Sequence, residues 1–249
     1  MQKFNSDGVE IAFIDEGQGE PVLLIHGFAS NISVNWVSTG WTKYLLDAGF
    51  RVIAFDHRGH GESEKLYDQE QYSAPLMAAD AARLLEHLNI PSANIIGYSM
   101  GARVAAFLTI QRSDLVKKVV FAGLAERMVS GVPGAEAIAD ALEAPHTSEV
   151  ADAGAKSFRV FADQTKSDRR ALAACIRSSR IKIKPEALAA IKVPVMVVAG
   201  ELDDVSGKVE PLVALIPGAK GLTLAGKNHM SAVGDRDFKR ESVAFFKAL

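Results

Sequence analysis

Short apolar runs without polar alternation recur along the chain, and they are clearest at residues 22–25, 52–55, 95–96, 119–121 and 195–198. Such runs are typical of strands that are buried on both faces of a parallel sheet. Between them, apolar residues follow the spacing of amphipathic helices, first at Met77, Ala81, Leu84, Leu85 and Leu88, and at the C-terminus at Phe238, Phe245, Phe246 and Leu249. The alternation predicts an α/β fold with a doubly wound, mostly parallel sheet.

The stretch from residue 124 to residue 185 breaks this alternation. It has no buried-strand run, and its Ala-rich, charged helical segments are separated by Pro133, Pro145 and Pro185. A small helical cap inserted into the fold is the preferred interpretation, and a continuation of the alternating core is the alternative. We therefore predict a core of residues 1–123 and 186–249 and a cap of residues 124–185.

The motif Gly97-Tyr98-Ser99-Met100-Gly101 lies between a predicted strand and a predicted helix. A serine on so sharp a turn adopts strained backbone angles, and the residues two positions away on either side need to lack a Cβ. Ser99 is therefore the candidate nucleophile. The string by itself occurs easily by chance, and its strand-turn-helix context gives it weight.

A serine hydroxyl is a weak nucleophile at neutral pH, so it needs a base and an acid that orients the base. Downstream of Ser99, the buried run at residues 195–198 leads into the carboxylates Glu201, Asp203 and Asp204. After a further helix and strand, His229 lies on a loop at the same sheet edge. The order serine, carboxylate, histidine is the one that this kind of turn requires.

The chain resembles the α/β-hydrolase family, in its serine-nucleophile branch of esterases, lactonases and perhydrolases, over nearly its whole length. The resemblance is carried by the Ser99 motif and by four further stretches, at residues 24–28, 56–63, 200–203 and 228–229. It implies a Ser-His-Asp triad of Ser99, His229 and Asp203, because the family's Gly-x-x-Asp pattern falls on residues 200–203. Some members carry the acid one strand earlier, where Glu126 is the candidate here. The resemblance also implies an oxyanion hole made by the backbone amides of Phe28 and Met100.

Composition limits the other possibilities. The 249 residues are 48% apolar and 23% charged, and the net charge is −2 without a block of like charges, so a nucleic-acid partner is not expected. Cys175 is the only cysteine, which excludes an intrachain disulfide and multi-cysteine metal sites. We expect no metal, no cofactor and no membrane span. The N-terminal residues lack the apolar core of a signal peptide, and we expect a cytoplasmic protein.

The expected substrate is a small or medium carboxylic ester, a lactone or a related acyl compound. The candidate substrate contacts are apolar residues near the motifs or in the cap, namely Trp36, Met128, Phe158, Phe161 and Met230. Arg103 and Arg180 are expected to be solvated at the surface, with recognition of a substrate carboxylate as the alternative. Perhydrolase chemistry, hydrolysis of a C–C bond and a non-catalytic ligand receptor remain alternatives, because one fold hosts many functions.

Overall fold

The computed structural model describes residues 1–248, and its centre is one eight-stranded sheet. The strands are β1 (Gln2–Ser6), β2 (Val9–Glu16), β3 (Glu20–Ile25), β4 (Phe50–Phe55), β5 (Ala93–Tyr98), β6 (Val116–Ala122), β7 (Val195–Gly200) and β8 (Lys220–Leu224). They lie side by side in the order β1-β2-β4-β3-β5-β6-β7-β8. The first two pairings are antiparallel and the others are parallel. The predicted fold class is confirmed.

Helices connect the strands and cover both faces of the sheet. They are α1 (Trp41–Asp47), α2 (Ala74–His87), α3 (Met100–Gln111), α4 (Arg127–Ser130), α5 (Ala135–Glu143), α6 (Ala153–Gln164), α7 (Arg169–Ser178), α8 (Pro185–Ala189), α9 (Val209–Leu215), α10 (His229–Ala232) and α11 (Arg236–Lys247). Short 3₁₀ turns span Gln69–Tyr72, Ser113–Leu115 and Thr147–Glu149, and a π turn spans Ser33–Val37.

Every predicted buried run lies inside a strand of the parallel part of the sheet. Alternate residues of these strands enter two separate hydrophobic clusters, one on each face. Leu23 and Ile25 belong to the cluster that also holds Phe28 and Met100, whereas Val22 and Leu24 belong to the cluster under α1 and α11. Because both faces of the sheet are covered, the central strands are apolar at consecutive positions.

The two edge strands of the sheet, β1 and β8, show a different pattern. In β1 only Phe4 and Ser6 are buried, because one face of this edge strand packs on the core and the other meets solvent. Strands with such weak apolar signals are hard to find from hydrophobic runs, and β8 is similarly exposed over most of its length. The edges of the sheet were accordingly less visible in the sequence than its centre.

Between β6 and β7 the described chain forms the helices α4 to α8 and the 3₁₀ turn Thr147–Glu149, and no strand. Their buried apolar residues, including Leu142, Leu172 and Cys175, join the same hydrophobic cluster as Phe28 and Met100. The helical segment thus packs directly against the loops that follow β3 and β5. The division of the chain into a core and a cap at residues 124 and 185 stays a prediction.

Candidate active site

Ser99 lies at the turn between β5 and α3 in a strained conformation. Its backbone has φ 56° and ψ −115°, a region that residues with a side chain rarely adopt. A Cβ at Gly97 would collide with the carbonyl of Gly101, and a Cβ at Gly101 would collide with the carbonyl of Ile25. The two glycines therefore let the turn pass close to its own helix and to β3, which confirms the expected turn geometry.

The structure brings Ser99, His229 and Asp203 into one chain of hydrogen bonds. The Oγ of Ser99 lies 3.1 Å from Nε2 of His229, at a distance at which the hydroxyl donates to the ring. The other ring nitrogen, Nδ1, donates to Asp203, whose two carboxylate oxygens lie 2.8 and 3.0 Å away. The three residues follow β5, β7 and β8, and they meet because the carboxyl ends of parallel strands share one edge of the sheet.

The carboxylate of Asp203 is held in place by its own loop. Its Oδ1 accepts hydrogen bonds from the amides of Val205 and Ser206, at 3.0 and 2.9 Å. Asp203 as a whole is 7% exposed. Glu126, the alternative acid, instead accepts from the amide of Lys208 at 3.4 Å. The geometry thus associates His229 with Asp203 and not with Glu126.

The amides of Phe28 and Met100 are available to a developing negative charge. Within residues 1–248, neither amide donates to an acceptor of the protein. Met100 is the first residue of the twelve-residue helix α3, so its amide is one of those that an α-helix leaves unpaired, and the helix dipole adds positive potential there. This arrangement can bind an oxyanion beside Ser99.

Two polar side chains fix the loop that carries Phe28, namely Asn35, which sequence reasoning missed, and Asp56, the first residue of the stretch 56–63. Oδ1 of Asn35 accepts the amide of Gly27 at 3.1 Å, and Oδ1 of Asp56 accepts the amide of Ile32 at 2.7 Å. The partners of these two side chains could not be predicted from a local motif, because the hydrogen bonds join positions that are 8 and 24 residues apart. Their effect is to hold the backbone on both sides of Phe28.

Three buried histidines, His26, His57 and His60, lie beneath the same loop. Nδ1 of His26 donates to the carbonyl of Gly27 at 2.7 Å, and its Nε2 accepts the amide of His57 at 3.0 Å. Burial lowers the pKa of His26 to about 4 and the pKa of His60 to about 3. Burial, followed by the neighbouring histidines, lowers the pKa of His57 well below its usual value. The cluster is therefore uncharged at neutral pH.

The candidate substrate contacts fall into two groups. Phe158 and Phe161 are half-buried and pack against the hydrophobic cluster that holds Phe28, and the ring of Phe158 lies 5.9 Å from the ring of Phe28. Met230, the residue after His229, is 61% exposed. Trp36 and Met128 have no exposed surface. Trp36 packs on Trp41 on the opposite face of the sheet, so the prediction for Trp36 is wrong. Met128 belongs to the cluster that holds Phe28 and Met100, and its contact with a substrate stays a prediction.

The expectation of solvated arginines is also wrong for Arg103. It is 2% exposed and donates to the carbonyls of Ile181, Met128 and Arg127, at 2.6, 3.3 and 3.5 Å. Burial, and then the charge of Arg180, lower the pKa of Arg103 to about 10. Arg180 is half-buried and donates to the carbonyls of Val132 and Pro133. Both side chains bind backbone of the helical segment.

Two further features of the described chain bear on the kind of site. Among residues 1–248, no group of three or more His, Cys, Asp or Glu side chains is arranged to hold a metal ion. None of the helices in this range combines the length and the apolar character that crossing a membrane requires.

With this geometry established, comparison with known proteins shows the family. The family model described as alpha/beta hydrolase fold matches residues 20–180, and the chain belongs to this family. A non-heme haloperoxidase of Rhodococcus erythropolis is 36% identical over 122 residues, which cover 47% of this chain and 42% of that protein. The matched part thus spans less than half the length of such curated relatives.

Solved structures show the same fold over the whole chain. An enol-lactonase from Burkholderia xenovorans LB400 has a TM-score of 0.84 and 21% identity, and the match covers 99% of this chain and 100% of that one. An esterase from Exiguobacterium antarcticum has a TM-score of 0.82 and 21% identity, with 97% of each chain covered. At this level of identity the likeness concerns the fold alone.

Proposed function

We propose that this protein is a serine hydrolase that transfers the acyl group of a small carboxylic ester to water. The observation that carries the proposal is the continuous chain of hydrogen bonds from Ser99 through His229 to Asp203. Such a chain can activate a hydroxyl that is a poor nucleophile by itself. The free amides of Phe28 and Met100 beside it support the same chemistry.

The proposed reaction has two steps with the same proton path. Ser99 Oγ attacks the ester carbonyl carbon while its proton passes to Nε2 of His229, and Asp203 stabilises the resulting imidazolium. The oxyanion accepts hydrogen bonds from the amides of Phe28 and Met100 until the C–O bond breaks and His229 gives its proton to the leaving alcohol. Water then attacks the acyl-enzyme by the same route and releases the carboxylic acid and Ser99.

A small acyl group is favoured because the helical segment lies close to both oxyanion residues. Sγ of Cys175 in α7 lies 3.9 Å from Sδ of Met100, and Phe158 in α6 packs against Phe28. We propose that residues 124–185 act as a cap that limits the length of the acyl chain. The apolar character of these contacts suits an uncharged acyl group.

Perhydrolysis is a second candidate. The relative from Rhodococcus erythropolis is a non-heme haloperoxidase, and its 122-residue match supports this alternative. Hydrogen peroxide in place of water would attack the same acyl-enzyme and give a peracid and free Ser99.

The proposed partner is in either case a small molecule, and we propose a cytoplasmic location because the single cysteine, Cys175, is unpaired and buried.

The test compares the wild-type chain with Ser99→Ala on p-nitrophenyl esters of increasing acyl length, with peracid measured in parallel when peroxide is present. We expect Ser99→Ala to fold normally, to lose more than about 10³-fold in kcat and to escape labelling by a fluorophosphonate probe. The wild-type rate should fall as the acyl chain lengthens. A folded wild-type chain that resists the probe would contradict the proposal and favour a non-catalytic receptor.

A further inference from the structure

The backbone of His229 is tied directly to the residue before the nucleophile. Tyr98, the last residue of β5, is 5% exposed, and its hydroxyl donates to the carbonyl oxygen of His229 at 2.6 Å. The centroids of the two rings are 5.5 Å apart. One side chain therefore contacts both the backbone and the ring of His229.

The other side chains that bind the backbone around His229 do so at residues farther from the imidazole. Nε1 of Trp41 donates to the carbonyl of Val233 at 2.7 Å, and the side chain of Asn228 caps the four-residue helix α10. The outer side of this part of the chain faces solvent, since Met230 is 61% exposed. Asp203 and Ser99 contact the ring of His229, and among the described side chains Tyr98 is the one that anchors its backbone.

The fold makes room for the phenol at a specific position. Gly123 has φ 63°, and a Cβ at this residue would lie 2.8 Å from Cζ of Tyr98. Burial, and then the charge of Asp203, raise the pKa of Tyr98, so the hydroxyl keeps its proton and remains a donor. The orientation of the phenol is therefore fixed by its surroundings.

We propose that Tyr98 is a positioning residue for the general base. Its hydrogen bond holds the backbone of His229 so that Nε2 reaches Ser99 while Nδ1 reaches Asp203. The inference rests on the proposed acyl transfer by these three residues, and it adds a fourth residue that acts through His229. A small displacement of the imidazole would lengthen the bond to Ser99 and slow the attack.

The test compares Tyr98→Phe with Tyr72→Phe, a matched control. Tyr72 is fully buried, and its hydroxyl also donates to a backbone carbonyl, that of Leu66, at 2.6 Å, in a loop apart from the triad. Each variant loses one phenol oxygen; Tyr98→Phe loses one hydrogen bond, and Tyr72→Phe loses two, because the Tyr72 hydroxyl also accepts the amide of Leu66 at 3.1 Å. We expect the loss of stability in urea unfolding to be at least as large in Tyr72→Phe, but a fall in kcat of about tenfold only in Tyr98→Phe, with KM within about twofold.

A second measurement does not depend on turnover. The proton between Nδ1 of His229 and Asp203 should give a low-field NMR resonance, which we expect to shift or broaden in Tyr98→Phe and to stay unchanged in Tyr72→Phe. Wild-type kcat together with an unchanged resonance in Tyr98→Phe would overturn the inference, and so would equal losses of kcat in both variants. Failure of the wild-type chain to react with the phosphonate probe would instead refute the acyl chemistry, while the resonance still decides the role of Tyr98.

Discussion

The strand-borne triad and the helical segment between β6 and β7 are held in place in different ways. Ser99, Asp203 and His229 each follow the end of a strand or its loop, so the ladders of the sheet fix their backbones. The helical segment is instead held by apolar packing against the cluster of Phe28 and Met100 and by long side chains that bind carbonyls, as Arg103 of α3 does at Ile181 and Arg159 does within the segment at Ala141. The proposed chemistry thus depends on the sheet, whereas the covering of the site depends on side-chain contacts.

Because the two regions are held differently, substitutions in them are expected to change different properties of the protein. A change in Ser99, His229 or Asp203 removes a group of the proposed reaction and is expected to leave the packing of the sheet intact. A change in the side chains that hold the helical segment alters stability and access to the site. The following predictions test that separation.

The largest effect is expected for the acid. Asp203→Asn should lower kcat by about 10⁴-fold, because the amide cannot fix the histidine tautomer or stabilise its positive charge. The control is Glu126→Gln, at the start of the helical segment, where the side chain binds the amide of Lys208 and should change kcat less than about twofold. Steady-state ester hydrolysis checks both values. A comparable loss in Glu126→Gln would place the acid in the helical segment.

A smaller effect is expected for the arginine that joins the two regions. Arg103→Met should lower the free energy of unfolding by about 1–3 kcal/mol, because three carbonyls lose a donor and that of Ile181 has no other donor in the described chain. Arg103→Lys, which keeps one charged donor, should lose less. Urea unfolding and hydrogen exchange of residues 127–181 measure the effect. Unchanged exchange in Arg103→Met would show that other contacts hold the segment.

The smallest effect concerns the buried histidines beneath the oxyanion loop. His60 stays neutral in the folded chain down to about pH 3, whereas the unfolded chain binds a proton near pH 6.5. Its stabilising contribution is therefore complete above pH 6.5 and decreases by about 1.4 kcal/mol per pH unit below it. His60→Gln should reduce this slope of the unfolding free energy, measured in urea between pH 5 and 6.5.

The matched control for this slope is His146→Gln, because His146 is exposed in the helical segment. It should leave the slope unchanged. An equal reduction in both variants would show that the pH dependence does not come from the histidines under the loop.

Much of the fold was predictable because strands that are buried on both faces of the sheet appear in the sequence as continuous apolar runs. The runs at residues 22–25 and 195–198 lie in β3 and β7, and the spacing of Met77, Ala81 and Leu84 predicted the buried face of α2. The edge strand β1 left no such run, since only one of its faces is covered.

The substrate side was less predictable, for a physical reason. Apolar and charged residues carry the same signal whether they line a pocket or complete the core, so Trp36 and Arg103 were misplaced by local reasoning. Their true positions depend on which helix packs against which loop. That information lies in contacts between residues far apart in the chain, such as Arg103 and Ile181.

The sequence by itself determined the central strands of the sheet, the strained turn at Ser99 and the order of the candidate nucleophile, acid and base, because strand burial and glycine requirements act locally. Only the tertiary structure decided that Asp203 and not Glu126 contacts His229, and that Tyr98 binds the backbone of His229. These contacts join positions 26 and 131 residues apart, and their geometry arises from packing that no short stretch of sequence encodes.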